Sequence, residues 1–142
     1  MSTQKLEPLF KLETYQRQPR FQNGFYQQDI LSVSQFSKEN LDYIFERADE
    51  MKAMCQRWGT SDLLKDYTLA CVFYEPSTRT SSSFISAMAR LGGKVIPITE
   101  GIQYSSVSKG ESLIDSILTL EQYCDVIVLR HSEIGSSATA AK

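Results

Sequence analysis

The stretch "PSTRTSSS", residues 76–83, sets six hydroxyl side chains around one arginine, one residue after the apolar run "TLACVFY". Ser77, Thr78, Arg79 and Thr80 are its chemically capable members. A helix beginning near Thr78 would aim its free backbone N–H groups and the positive end of its dipole at one point, which suits an anion. Hydroxyls add donors, and a guanidinium presents a planar fork that matches two oxygens of a phosphate. So read, the loop cradles a phosphate without the glycines of a Walker loop. An ordinary capped helix beside a solvated arginine uses the same residue types, and composition does not decide between the two.

Two further segments carry polar residues to comparable places. The run "DVIVLR" ends on Arg130 and is followed by His131, and "KVIPI" leads into "TEGIQYSSVSKGES", which holds Ser105 and Lys109. Taken alone, Lys109 is a surface lysine and Ser105 a loop residue. The segment 101–110, with two glycines, three serines and little apolar material, is expected to be mobile when no ligand is bound.

These residues need a scaffold, and the pattern of the chain supplies one. Residues 1–27 are polar with scattered aromatics and no steady period, and read as an N-terminal arm. "DILSV", 29–33, is short, apolar and β-branched, a first strand by that measure. Leu41, Ile44, Phe45, Ala48, Met51 and Cys55 recur at helical spacing, with Ser37 as N-cap and Gly59 near the end. Strands follow over 68–74, 94–98 and 125–130, the second placed near an edge by Pro97. Between them lie helices that bury Phe84, Met88 and Leu91, and then Leu113, Ile114, Ile117, Leu118 and Leu120. The final "SEIGSSATAAK" reads as a loop and the first turns of a helix. Strands alternating with helices predict an α/β domain over 28–142: a parallel, four-stranded sheet with right-handed crossovers and helices on both faces. In such sheets ligands collect outside the carboxyl ends of the strands, where the polar segments fall.

Composition narrows the function. The chain has 142 residues and 42% hydrophobic content, enough for one ordinary core. Fifteen Lys and Arg against 17 Asp and Glu give a net charge of -2, which points away from nucleic acid and from membrane surfaces. The N-terminal residues lack the apolar centre of a signal peptide and include Glu7 and Glu13, unlike a transit peptide. Cys55, Cys71 and Cys124 form no CxxC pair, and with a single histidine, His131, they read as reduced thiols in a cytoplasmic protein. No metal site and no cofactor is expected.

The residues now carry a resemblance. "FYEPSTRT" resembles the signature F-x-(E or K)-x-S-T-R-T of the aspartate and ornithine carbamoyltransferase family at every fixed position. The likeness continues through "SFISAMARLGGKV", "SSVSKGES" and "DVIVLRH", covering roughly residues 30–131. Glu75 in the third signature position and the "SSVSKGESL" segment resemble the aspartate branch, since the ornithine branch usually carries Lys there.

The resemblance implies the carbamoyl-phosphate-binding domain of an enzyme of de novo pyrimidine synthesis, with aspartate the favoured amino-acid substrate. Ser77, Thr78, Arg79 and Thr80 would bind the phosphate of carbamoyl phosphate. Arg79 would also stabilise charge developing on the carbamoyl oxygen, with Thr80 assisting, and these two are the expected catalytic residues. Arg130 would bind carbamoyl phosphate from the end of the next strand. Ser105 and Lys109 would reach into the site of a neighbouring subunit, making the working unit a homotrimer, alone or within a larger assembly. Glu75 would pair with arginines that hold two domains closed, and those arginines have no match in this sequence. The family's catalytic histidine, in an H-P-T-Q segment, has no match either. His131 corresponds instead to an R-H-P-Q segment that here reads "RHSE", and no catalytic role is expected of it. The matched residues make up a carbamoyl-phosphate half-site without the amino-acid-binding half, so this chain alone is expected not to turn over. An ornithine enzyme, or a non-catalytic anion-binding or assembly module of the same descent, are the alternatives.

Overall fold

The computed structural model describes residues 25, 28–98 and 110–141. Two compact units emerge, Met1–Arg57 and Trp58–Lys142. The arm expected over 1–27 lies, apart from Phe25, outside the described residues.

In the first unit, the strand expected over 29–33 does not form. Val33–Gln35 is a single 3₁₀ turn instead. Local hydrogen bonding explains the difference. The Gln35 side-chain oxygen accepts from the N–H groups of Leu31 and Ser32, and Ser32 Oγ accepts from the Ser34 N–H. Backbone donors taken by side chains three and four residues away are lost to a ladder. Ile30 and Val33, the apolar residues that suggested a strand, stand 65% and 78% exposed.

Helix α1, Lys38–Trp58, begins where Ser37 predicts. Ser37 Oγ accepts from the Asn40 N–H at 3.2 Å while the Asn40 side chain accepts from the Ser37 N–H at 3.0 Å, a reciprocal cap. Gly59, at φ 80°, closes it. Leu41, Ile44, Met51 and Cys55 of the expected stripe are covered and Met54 is buried, but Phe45 and Ala48 are exposed, and half-buried Arg47, in a 2.7 Å ion pair with Glu50, stands on the covered face.

The second unit holds the sheet. Strands β1 (Thr68–Phe73), β2 (Lys94–Ile98) and β3 (Val126–Arg130) are joined by helix α2 (Thr78–Arg90) and helix α3 (Leu113–Leu120), and a short α4 (Ser136–Ala140) follows. All pairings are parallel, in the order β2-β1-β3, so the described sheet has three strands where four were expected. Pro97 does lie on an edge strand, as its missing N–H requires. β1 is central, and all of its residues from Leu69 to Phe73 are buried. Leu69, Val72 and Phe73 each contribute roughly 1.5–3 kcal/mol on leaving water, which makes β1 the anchor of the unit.

The helices are shorter on apolar cover than their sequences promise. α2 turns Ser81 and Met88 inward and leaves Phe84 partly exposed, and α3 buries Ile117 while Ile114 and Leu118 stay exposed. Ser112 caps α3 by accepting from the Asp115 N–H. The end of α2 is tied down by close backbone approach. Ser61 N–H donates to the Arg90 carbonyl and Leu64 N–H to that of Leu91. A Cβ at Gly92, whose φ is 83°, would lie 2.5 Å from the Ser61 oxygen, so only glycine fits there.

From β1 the chain crosses to β2 on one side, then back over β1 to β3 on the other. With right-handed crossovers these two connections lie on opposite faces, and the crevice of the sheet opens between the carboxyl ends of β1 and β3.

Candidate functional site

The residues at that crevice come from both strands. Past Phe73 the chain leaves the sheet through Tyr74, Glu75 and Pro76 and enters α2 at Thr78, with Ser77 as the N-cap residue. Ser77, Thr78, Arg79 and Thr80 therefore form the cap and first turn of a 13-residue helix, the arrangement expected from their types. Thr78, Arg79 and Thr80 are exposed, and their N–H groups belong to the turn that has no intrahelical partner.

Ser77 makes no capping bond to its own helix. Its carbonyl accepts from both the N–H and the hydroxyl of Ser81, at 2.9 and 2.8 Å, which secures the start of α2 from behind. Ser81 is one of two buried polar residues among those described, and these bonds satisfy it. The freed Ser77 Oγ accepts instead from Arg130 Nη1, at 3.4 Å, the long end of hydrogen bonding.

Arg130 is the last residue of β3 and reaches across to β1's exit. Its Nε donates to Glu75 Oε2 at 3.2 Å, an ion pair whose two side chains are 45% and 42% exposed. Exposure of that degree leaves the pair worth at most about 1 kcal/mol. A competing anion can displace it. Arg79, by contrast, has no ion pair or hydrogen bond among the described residues.

The structure thus brings five of the seven expected site residues, Ser77, Thr78, Arg79, Thr80 and Arg130, to neighbouring strand ends. The other two, Ser105 and Lys109, lie outside the described residues. The resemblance pairs Glu75 with arginines that have no match in this sequence. Here Glu75 pairs with Arg130, brought near by the parallel register that sets Phe73 opposite Arg130, and no local sequence signal marks the pair. Among the described residues no three His, Cys, Asp or Glu side chains gather as metal ligands, and no helix is long and apolar enough to cross a membrane. Burial pushes the thiols of Cys71 and Cys124 up, so both are poor nucleophiles at neutral pH.

Fold and site together define a class: a parallel α/β domain that gathers Arg130, hydroxyls and a helix N-terminus carrying Arg79 at neighbouring strand ends, groups of the kind that bind a phosphorylated anion. Residues 28–142 match the aspartate/ornithine carbamoyltransferase carbamoyl-P binding domain, and the chain belongs to that family. It is 50% identical over 118 residues to the multifunctional protein CAD of Squalus acanthias, covering 83% of this chain and 5% of that protein. It is 46% identical over 125 residues to the chloroplastic aspartate carbamoyltransferase 1 of Pisum sativum, covering 87% of this chain and 32% of that enzyme. Aspartate transcarbamoylase from Trypanosoma cruzi, solved with carbamoyl phosphate and aspartate, superposes with a TM-score of 0.74 at 36% identity, covering 80% of this chain and 37% of that one. The catalytic subunit of the M. jannaschii enzyme gives 0.73 at 45% identity, covering 79% and 36%. The chain spans about a third of the length of the single-function relatives and a far smaller share of the multifunctional ones.

Proposed function

We propose that this chain forms the carbamoyl-phosphate half of an aspartate carbamoyltransferase site, in an enzyme of pyrimidine synthesis. The observation that carries the reading is the meeting of β3's Arg130 with Ser77 at the N-terminus of α2, whose first turn also carries Arg79, without an ion pair or hydrogen bond among the described residues. Phosphate oxygens would take the first-turn N–H groups, the hydroxyls of Ser77, Thr78 and Thr80, and the two guanidinium forks.

In the transfer, the amine nitrogen of aspartate attacks the carbamoyl carbon, and the carbonyl oxygen takes up negative charge. The C–O bond to phosphate then breaks, the nitrogen gives up its proton, and carbamoyl aspartate and phosphate are the products. Arg79 and Thr80 act on the oxygen that becomes charged, so they bind the transition state more tightly than the ground state. Arg130 holds the phosphate as it gains charge on leaving. Glu75, rather than lysine, at the exit of β1 favours the aspartate branch.

Ser105 and Lys109 complete the site from a neighbouring subunit in this reading, which makes the enzyme a homotrimer. In an enzyme carrying both halves of the site, Lys109→Ala chains and Arg79→Ala chains are each inactive. Mixed trimers of the two recover activity, because some sites escape both lesions. Verified hybrids without activity would confine Lys109 to its own subunit or to no site.

The direct test is titration of this chain with carbamoyl phosphate or inorganic phosphate. A charge-assisted contact is worth roughly 1.5–3 kcal/mol, so Arg79→Ala weakens binding about tenfold or more. An unchanged titration removes Arg79 from the site.

A further inference from the structure

β1 and β3 stay together for one residue beyond their formal pairing. Phe73 lies opposite Arg130, so Tyr74 and His131 are the next partners in register. The Tyr74 N–H donates to the Arg130 carbonyl at 2.8 Å, and the two rings meet with centroids 4.5 Å apart, tilted by 51°. His131 is held from a second direction, because its Nδ1 accepts from the Glu133 N–H at 3.0 Å. A neutral His131 so bonded carries its proton on Nε2. Immediately beyond this pair the chain turns into Glu75 and Ser77, the two residues that Arg130 grips.

We infer that Tyr74 and His131 are positioning residues for Arg130, a ring clasp that fixes the gap between the two strand ends while His131 Nδ1 remains an acceptor. The inference rests on the reading of Arg130 as an anion ligand. It concerns residues that make none of the site's own contacts and act through the backbone on either side of Arg130. Protonation would give Nδ1 a hydrogen and set it donor to donor against the Glu133 N–H, opening the 131–133 turn. The titratable and charged groups around His131 are Arg130 and Glu133 on its own segment, and Tyr74 and Glu75 from the exit of β1.

The direction of the pH effect separates this role from a simpler one. An imidazolium acting as a nearby charge tightens an anion, whereas an opened clasp loosens it. Sulfate is the suitable probe, since its charge is constant over the range in which imidazole titrates. Titrated by calorimetry on either side of that range, the wild-type chain binds sulfate more weakly in acid, by about threefold to tenfold, the worth of one net hydrogen bond. His131→Ala, without ring or acceptor, binds weakly at both pH values. His131→Asn offers a side-chain oxygen to the N–H two residues on, as in an Asx turn, and recovers part of the loss without the acid-dependent fall. Circular dichroism at both pH values keeps unfolding from being read as weak binding.

The clasp is overturned if wild type and His131→Asn share one pH profile, if His131→Ala binds like wild type, or if acid tightens binding and His131→Asn abolishes that gain. Failure of the underlying site looks different: the folded wild-type chain binds no sulfate at either pH, and the inference falls with it. Binding that Arg79→Ala weakens, with a pH profile indifferent to His131, keeps the site and removes only the clasp.

Discussion

Strand β1 and the segment it delivers are adjacent in sequence and opposed in environment. From Leu69 to Phe73 every side chain is buried, and from Leu69 to Val72 the backbone is paired on both sides, by β2 and by β3. From Glu75 to Thr80 no residue is buried; Glu75 and Ser77 bond across to Arg130 of β3, and the Ser77 carbonyl bonds back into α2. In the proposed anion site the two stretches would divide the labour. Close packing in the first allows one backbone position, while the second holds charged groups loosely enough for a ligand to take them.

The largest effect expected from breaking this contrast is at Leu69. Leu69→Ala leaves a cavity in the central strand and costs about 2–5 kcal/mol, read as a lower urea midpoint. Arg130→Ala should do the reverse. Its ion pair is half exposed, so stability changes by less than about 1 kcal/mol. Phosphate affinity nevertheless falls by about tenfold, because a charge-assisted contact is lost and Glu75 is left unpaired beside the anion. If stability drops with affinity in that variant, the strand end is part of the core and the contrast fails.

A smaller effect sharpens the same comparison. Glu75→Gln removes the carboxylate that competes for Arg130, so this chain binds phosphate more tightly, by up to about fivefold, the ceiling for an exposed pair. Weaker binding in the titration would make Glu75 a support of the site rather than a rival for its arginine.

The smallest effect concerns Cys71. Burial raises its thiol, so the folded state holds this proton more tightly than the unfolded state does. Its contribution to stability is complete below the ordinary thiol range and declines as pH rises through it. Alkylation at mildly alkaline pH should therefore reach Cys71 only through unfolding, and mapping the modified residues by mass spectrometry checks this.

Much of this was legible in the chain, and the exceptions share a cause. "TLACVF" could hardly be anything except a buried parallel strand, because a continuous apolar run bounded by turn residues must be covered on both faces. The hydroxyl run after it could be placed at a helix start from residue preference alone. "DILSV" misled because its strand character was weighed without Gln35, whose side chain takes the backbone donors first. Of the α1 stripe only Phe45 and Ala48 misled, because the paired Arg47 and Glu50 are half-covered where counting apolar residues gives them the place. The Glu75–Arg130 pair lies 55 residues apart in sequence and depends on register, which no local pattern encodes. Sequence patterns record what each residue prefers; they are silent on which neighbour gets there first.

The Ser77 hydroxyl, turned from its own helix toward Arg130, has a thermodynamic consequence. Capping a helix with serine is ordinarily worth about 0.5–2 kcal/mol, and α2 begins without that bond. An anion that binds the first-turn N–H groups takes over the missing function, so ligand binding and folding are linked. At a hundred times its dissociation constant such a ligand adds about 2.7 kcal/mol to the folded state. Melting temperature should therefore climb with phosphate concentration, and the climb should flatten in Arg79→Ala. The bound phosphate would then serve as part of the fold as well as a ligand.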